Sequence, residues 1–313
     1  MPEQHLEGRV AIVTGGAGGI GGGICDLFAA QGAKLVVTDT GGDVEGRIGL
    51  DSSRVDAVVE RIRKAGGEAV GLAGDIANMD HAESVVRLAL ETYGKLDVLV
   101  CAHGILRERK IFNMQEEEWD EVVRVHLKGC FAPTKFASIV WRQQQTGGRI
   151  IYFTSDAGLF GSAGQPNYSA AHAGKLGLMR SNSLALKRYN VTTNCIAPLA
   201  STRMTDRGRA VEREGAAPSA AAAGTPMDPR NIAPIAVWLA SEESAGVNGR
   251  VFGAGGHRIS VYHEPIQERA MFGKSPAFDI DWLFDNWEKT IGQDRFYPLP
   301  QGLQPPAAPR PAG

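Results

Sequence analysis

The chain has 313 residues, of which 43% are hydrophobic and 22% charged, the balance of an ordinary globular domain. A formal net charge of -2 gives no electrostatic case for nucleic acid or an anionic membrane as partner, and no apolar run approaches the roughly 20 residues that span a bilayer. The first ten residues, MPEQHLEGRV, lack a secretory pattern. Cys25, Cys101, Cys130 and Cys195 show no paired metal spacing, so buried reduced thiols in a cytoplasmic protein are expected.

Short β-branched runs alternate with amphipathic stretches. The first, 10–15, reads as a strand and runs into the glycine turn Thr14-Gly15-Gly16-Ala17-Gly18-Gly19-Ile20-Gly21, which opens a helix over 19–31. Glycine lets the backbone turn sharply and approach a pyrophosphate, while the helix start supplies free N–H groups. The strand–turn–helix context is what such a motif requires. A second strand, 34–39, ends in Asp39, 18 residues after Gly21, where a carboxylate accepts from both ribose hydroxyls and repels a 2′-phosphate. That favours NAD over NADP as cofactor.

A helix over 51–65 and a strand over 68–75 follow. The strand ends in Asp75, a position suited to an adenine amino group. Next come a helix over 80–93, a strand over 96–104 and a long helix over 116–140, which Gly129 and Pro133 are expected to bend. The strand over 148–155 ends in Ser155, and Tyr168 stands 13 residues later at the head of a helix over 168–188. A strand over 191–198, a mobile flap over 206–228, a helix over 230–241 and strands over 249–256 and 258–262 complete the pattern. Little polar alternation inside the strands suits a sheet covered on both faces. The expected fold is therefore α/β, a Rossmann-like doubly wound parallel sheet. It forms one dinucleotide-binding domain over 1–262, with a C-terminal extension over 263–313 whose last residues are too proline-rich to pack.

The combination of the glycine turn, Asp39, Ser155 and Tyr168 in this order resembles the short-chain dehydrogenase/reductase superfamily over about residues 8–256. Within it the chain is similar to the hydroxyacyl-CoA dehydrogenase domains of multifunctional enzymes type 2 and to bacterial steroid-degrading dehydrogenases. The residues carrying that closer likeness are 38–43, 104–109, 125–129, 196–198 and 203–205. The resemblance implies that Tyr168 exchanges a proton with a substrate oxygen held by Ser155, while hydride passes to or from a nicotinamide ring. It implies cofactor contacts from Thr14, Gly15, Gly19, Ile20, Gly21, Asp39, Asp75, Ile76, Ala102, Gly104, Tyr168, residue 172, Pro198 and Thr202. It also implies an acyl-CoA thioester or steroid as small-molecule substrate, no metal, and a homodimer or homotetramer paired through the helices over 116–140 and 168–188.

Three positions depart from the family pattern. Its Asn-Asn-Ala-Gly after the fourth strand is here Cys101-Ala102-His103-Gly104, its helix-kink asparagine is His126, and its lysine four residues after the tyrosine is His172. That lysine lowers the tyrosine pKa and donates to the nicotinamide ribose. A histidine, titrating at about 6.5, brings one hydrogen bond and little charge at neutral pH. Lys175 lies three residues past His172 on the same helix face. It is either a solvated surface residue or a relocated source of that charge. Two functional readings follow: an NAD-dependent alcohol dehydrogenase, or a catalytically silent NAD-binding subunit.

Overall fold

The wholly apolar run Val10–Thr14 becomes β1, buried along its length, and it lies in the middle of one sheet. The computed structural model describes residues 4–47, 49–207, 219–267, 270–272 and 279–291. The other strands are β2 (Lys34–Thr38), β3 (Glu68–Gly71), β4 (Val98–Cys101), β5 (Gly148–Phe153), β6 (Val191–Pro198), β7 (Val251–Gly255) and β8 (Arg258–Val261). Their order is β3-β2-β1-β4-β5-β6-β7-β8, parallel throughout except for the antiparallel β7–β8 pair.

Helices cover both faces, as continuous apolar strands require. On one side α1 (Gly19–Ala30), α2 (Ser53–Lys64) and α8 (Ala233–Ala240) bury Ile24, Phe28, Val59, Ile235 and Leu239. On the other, α3 (Met79–Tyr93), α5 (Gly129–Gln144) and α7 (Pro166–Ala185) bury Val85, Ala89, Trp141, Leu176 and Met179. Chain order reverses between β1 and β4. The crossover helices there leave in opposite directions and open a crevice at the carboxyl ends of the strands.

The expected bend in the long fourth helix falls earlier than its glycine and proline. A helix α4 (Glu116–Val123) passes into a π-turn, Arg124–Lys128, before α5 begins. The wider turn shifts the hydrogen-bond ladder and carries His126 inward, where it is 2% exposed. The short α6 (Asp156–Phe160) precedes α7. The expected flap is described only at its ends, as short turns at Thr205–Arg207 and Ser219–Ala221. All four cysteines are free and buried. Among the described residues no helix is long and apolar enough to cross a membrane.

The chain divides into two compact units, Met1–His263 and Glu264–Gly313. The second contains α9 (Ile280–Trp287), capped by Asp279, whose carboxylate accepts from the Trp282 N–H at 2.8 Å. The proline-rich end lies outside the described residues.

Trp141 ties α5 to the sheet: its indole N–H donates to the Leu96 carbonyl at 2.7 Å and its ring lies over Gly148. Trp141→Ala removes a fully buried ring, and a loss of about 3–5 kcal/mol in unfolding free energy is expected from urea titration.

Candidate active site

A cleft of about 640 Å³ opens at the chain reversal. Its floor is the glycine turn. Gly15 has φ +68°, and a Cβ there would sit 2.5 Å from the His103 nitrogen; a Cβ on Gly21 would strike the Gly15 carbonyl. Only glycine lets the turn pack this closely against its own backbone at these two positions. Gly18, at the head of α1, brings no capping side chain, so the first-turn N–H groups lining the cleft at Gly19, Ile20 and Gly21 suit an anion.

Asp39 follows β2. Its two oxygens accept from the Ala17 N–H at 3.0 Å and the Gly41 N–H at 2.8 Å, which pins the carboxylate at the cleft wall. Asp75 follows β3. One of its oxygens accepts from the Ala77 N–H and the other takes Arg124 Nη1 at 2.5 Å. Arg124 also pairs with Glu121 at 2.7 Å, and these partners push its pKa further up. Arg124 comes from the π-turn and lines the cleft, a contribution that the regular helix expected over 116–140 conceals.

The reacting end is built where β4, β5, the π-turn and α7 meet. Ser155 caps α6, its Oγ accepting from the Ala157 N–H at 3.2 Å, and the same hydroxyl lies beside the Tyr168 phenol and favours its anion. Asn167 sets the approach of Tyr168. Its side chain donates to the Arg107 and Glu118 carbonyls, and its Oδ1 accepts the Tyr168 N–H at 2.8 Å. Burial pushes the Tyr168 pKa up to about 12; the Ser155 hydroxyl opposes that rise and the Glu108 charge adds to it.

His172 lies tilted against Tyr168 with ring centroids 4.0 Å apart, and His126 stands 4.6 Å from His172 and 5.0 Å from Tyr168. Gly158 makes room for His172, since a Cβ there would approach the His172 Cβ to 2.6 Å. Both ring nitrogens of His172 are buried without a partner, although the residue lines the cleft. A ligand hydroxyl would satisfy one of them. Burial, followed by the Lys175 charge, holds the pKa of His126 and His172 well below the ordinary histidine value, so both are neutral at pH 7.

Lys175 is not the solvated residue the helix face allows. It is fully buried, because the α7 face that carries it packs toward the π-turn and β5. Its Nζ donates to the Phe153 carbonyl at 3.0 Å and lies 3.2 Å from His126 Nδ1.

The other expected residues fall around the same cleft. Ile76, Ala102, Gly104, Pro198 and Thr202 line it, with Asp39 and Asp75 toward one end and Ser155, Tyr168 and His172 toward the other. Thr14 alone stands back. It is wholly buried beneath the cleft, its hydroxyl 2.5 Å from His103 Nδ1. His103, one of the departures from the family pattern, thus occupies the floor between Thr14 and Gly129.

A cleft at the crossover of a parallel sheet, ending on a half-buried serine–tyrosine pair, is the arrangement of an oxidoreductase fold. The chain belongs to the short-chain dehydrogenases: the family model described as short chain dehydrogenase matches residues 9–213. Members of this family generally bind a nicotinamide cofactor, act on small molecules and commonly form oligomers. The chain is 37% identical over 282 residues to the hydroxyacyl-CoA dehydrogenase ChsB1 of Mycobacterium tuberculosis, covering 88% of this chain and 86% of that protein. It is also 37% identical over 288 residues to mouse peroxisomal multifunctional enzyme type 2; that match covers 91% of this chain but only 37% of the mouse protein. A crystal structure of a short chain dehydrogenase from Mycobacterium avium superposes with TM-score 0.78 at 39% identity, covering 92% of this chain and 96% of that one.

The two neutral histidines make stability depend on acid. Their folded pKa values are depressed, so the unfolded chain binds more protons as pH falls below about 6.5, and stability declines from there downward. Each contributes up to about 1.4 kcal/mol per pH unit. Urea midpoints measured between pH 7.5 and 5.5 should fall, and His126→Asn should flatten that fall.

Proposed function

We propose that this chain is an NAD-dependent dehydrogenase that interconverts a secondary alcohol and a ketone. Tyr168 acts as the acid/base and Ser155 orients the substrate oxygen. The observation that carries this reading is that the Ser155 and Tyr168 hydroxyls share one cleft with the glycine turn and Asp39. The cradle at Gly15 and Gly21, together with the orphaned nitrogens of His172, suits a dinucleotide whose ribose reaches the imidazole. Asp39 would meet the adenosine ribose and disfavour a 2′-phosphate. When bound, the nicotinamide ring supplies or accepts the hydride.

In the oxidation direction Tyr168, as phenolate, takes the alcohol proton while Ser155 donates to the same oxygen. In reduction the Tyr168 phenol returns that proton to the oxygen of the forming alkoxide. His172 is neutral and offers one ring nitrogen, as donor or acceptor, to a ribose hydroxyl. For substrate, the names of the relatives and the closer family likeness support a 3-hydroxyacyl-CoA or a hydroxysteroid. By the same likeness the chain would assemble as a homodimer or homotetramer.

A second reading rests on one specific observation. His172 stands where the family has lysine, so no ammonium touches Tyr168. The chain would then bind NAD without turnover, as a silent subunit.

NADH fluorescence titration combined with turnover on a panel of 3-hydroxyacyl-CoA esters and hydroxysteroids separates the two readings, because binding without turnover supports the silent subunit. For an active enzyme, Tyr168→Phe should lower kcat by about 10²–10⁴-fold while NADH affinity stays within a few-fold. Asp39→Ser should weaken NADH and relatively improve NADPH, measured as the ratio of their dissociation constants. An unchanged ratio contradicts the assignment of Asp39.

A further inference from the structure

Lys175 is buried with no exposed surface, and among the described residues no carboxylate forms an ion pair with it. An ammonium taken out of water without a counter-ion is a costly feature to retain. Two of its donors are satisfied, by the Phe153 carbonyl and by His126 Nδ1. An ammonium only donates, so His126 must present a bare Nδ1 there. That puts the ring proton on Nε2, directed at the Ile105 carbonyl at 2.7 Å rather than accepting from the Ile105 N–H, which lies at 3.1 Å. Lys175 therefore fixes the tautomer of His126, and His126 stands edge-on to the ring of Tyr168.

The groups facing this ammonium are known from every side. The π-turn brings His126, and α7 itself brings His172 and, beyond it, Tyr168. The end of β4 brings Cys101, and His103 follows it; Cys130 comes from α5. Glu108 acts on Tyr168 from the far side. The two nearer imidazoles are neutral; the acidic groups of the cluster are the Cys130 thiol, which, against burial, its Cys101 contact and then this ammonium draw down, and, beyond His172, the Tyr168 phenol.

We propose that Lys175, reaching Tyr168 through His126 and His172, is the cation of this site and replaces the charge missing at position 172. It is a positioning residue: it stands behind the cleft wall with no exposed surface, helps burial keep the two imidazoles neutral and favours the Tyr168 phenolate across them. The inference rests on the dehydrogenase reading for its purpose, but its physical content, the charge felt by one phenol, is measurable without turnover.

The test is a titration of ¹³Cζ-labelled tyrosine by NMR in the full chain, with the Tyr168 signal assigned through Tyr168→Phe. Lys175→Gln keeps a donor for Phe153 and removes the charge. It should raise the Tyr168 midpoint by about one pH unit, and His172→Lys added to it should bring the midpoint back down. In an active enzyme, the pH limb of kcat/KM for alcohol oxidation should move up by the same amount, with about a tenfold loss of rate at neutral pH. A Tyr168 midpoint that Lys175→Gln leaves in place overturns the proposal, even where the rate falls, because a merely structural lysine would do that. Should Lys175→Gln not fold, the comparison passes to His172→Lys against His172→Lys/Lys175→Gln. There too the second change must raise the midpoint, and an unmoved midpoint overturns the proposal. Absence of turnover with NADH binding intact would instead overturn the enzymatic reading and leave the titration result standing.

Discussion

Partial burial of the Tyr168 phenol in the cleft wall is the constraint around which this site is organised. Taking a phenol out of water makes its anion harder to form, and here burial lifts the pKa to about 12. A proton-exchanging tyrosine needs the opposite, so the surroundings must offset that rise. The Ser155 hydroxyl opposes that rise from one side. On the other, an imidazole lies where an amine would be usual, and a lysine reaches the same region from one turn further along α7.

The fold delivers these groups with little local freedom. Seven parallel strands end at one rim, and the chain reversal between β1 and β4 opens that rim into a cleft. Ser155 follows β5, Tyr168 starts α7 and the π-turn swings His126 beneath both. Glycines then clear the remaining volume. A Cβ on Gly104 would strike the His126 ring, and one on Gly129 would come within 2.5 Å of His103 Nε2. With Gly158 beside His172, each of the three histidines that depart from the family pattern is matched by a glycine that accommodates it.

Much of this architecture was legible from spacing alone. Alternating β-branched runs and amphipathic stretches marked the strands, because parallel strands covered on both faces carry no polar alternation. The glycine turn, Asp39, Ser155 and Tyr168 sit at strand ends and helix starts, where sequence position translates directly into place. What the sequence concealed depends on helix irregularity and on long-range packing. The bend before α5 is a π-turn rather than a kink at Gly129 or Pro133, and only that turn brings Arg124 to Asp75. Helical spacing put Lys175 on the face of Tyr168 and His172, yet left open whether that face met solvent or the body of the domain. The packing of α7 on the π-turn decides it. Thr14 reads as a cofactor contact but is covered by its own bond to His103.

The account stands on Tyr168 and His172 facing a bound dinucleotide. The most direct measurement is a crystal structure of the chain with NAD and a slow-reacting ketone or hydroxyacyl thioester. It should place the nicotinamide between Tyr168 and Pro198, with a ribose hydroxyl on a ring nitrogen of His172 and the adenosine ribose on Asp39. A dinucleotide lying elsewhere, or a Tyr168 hydroxyl turned away from the nicotinamide, would contradict it.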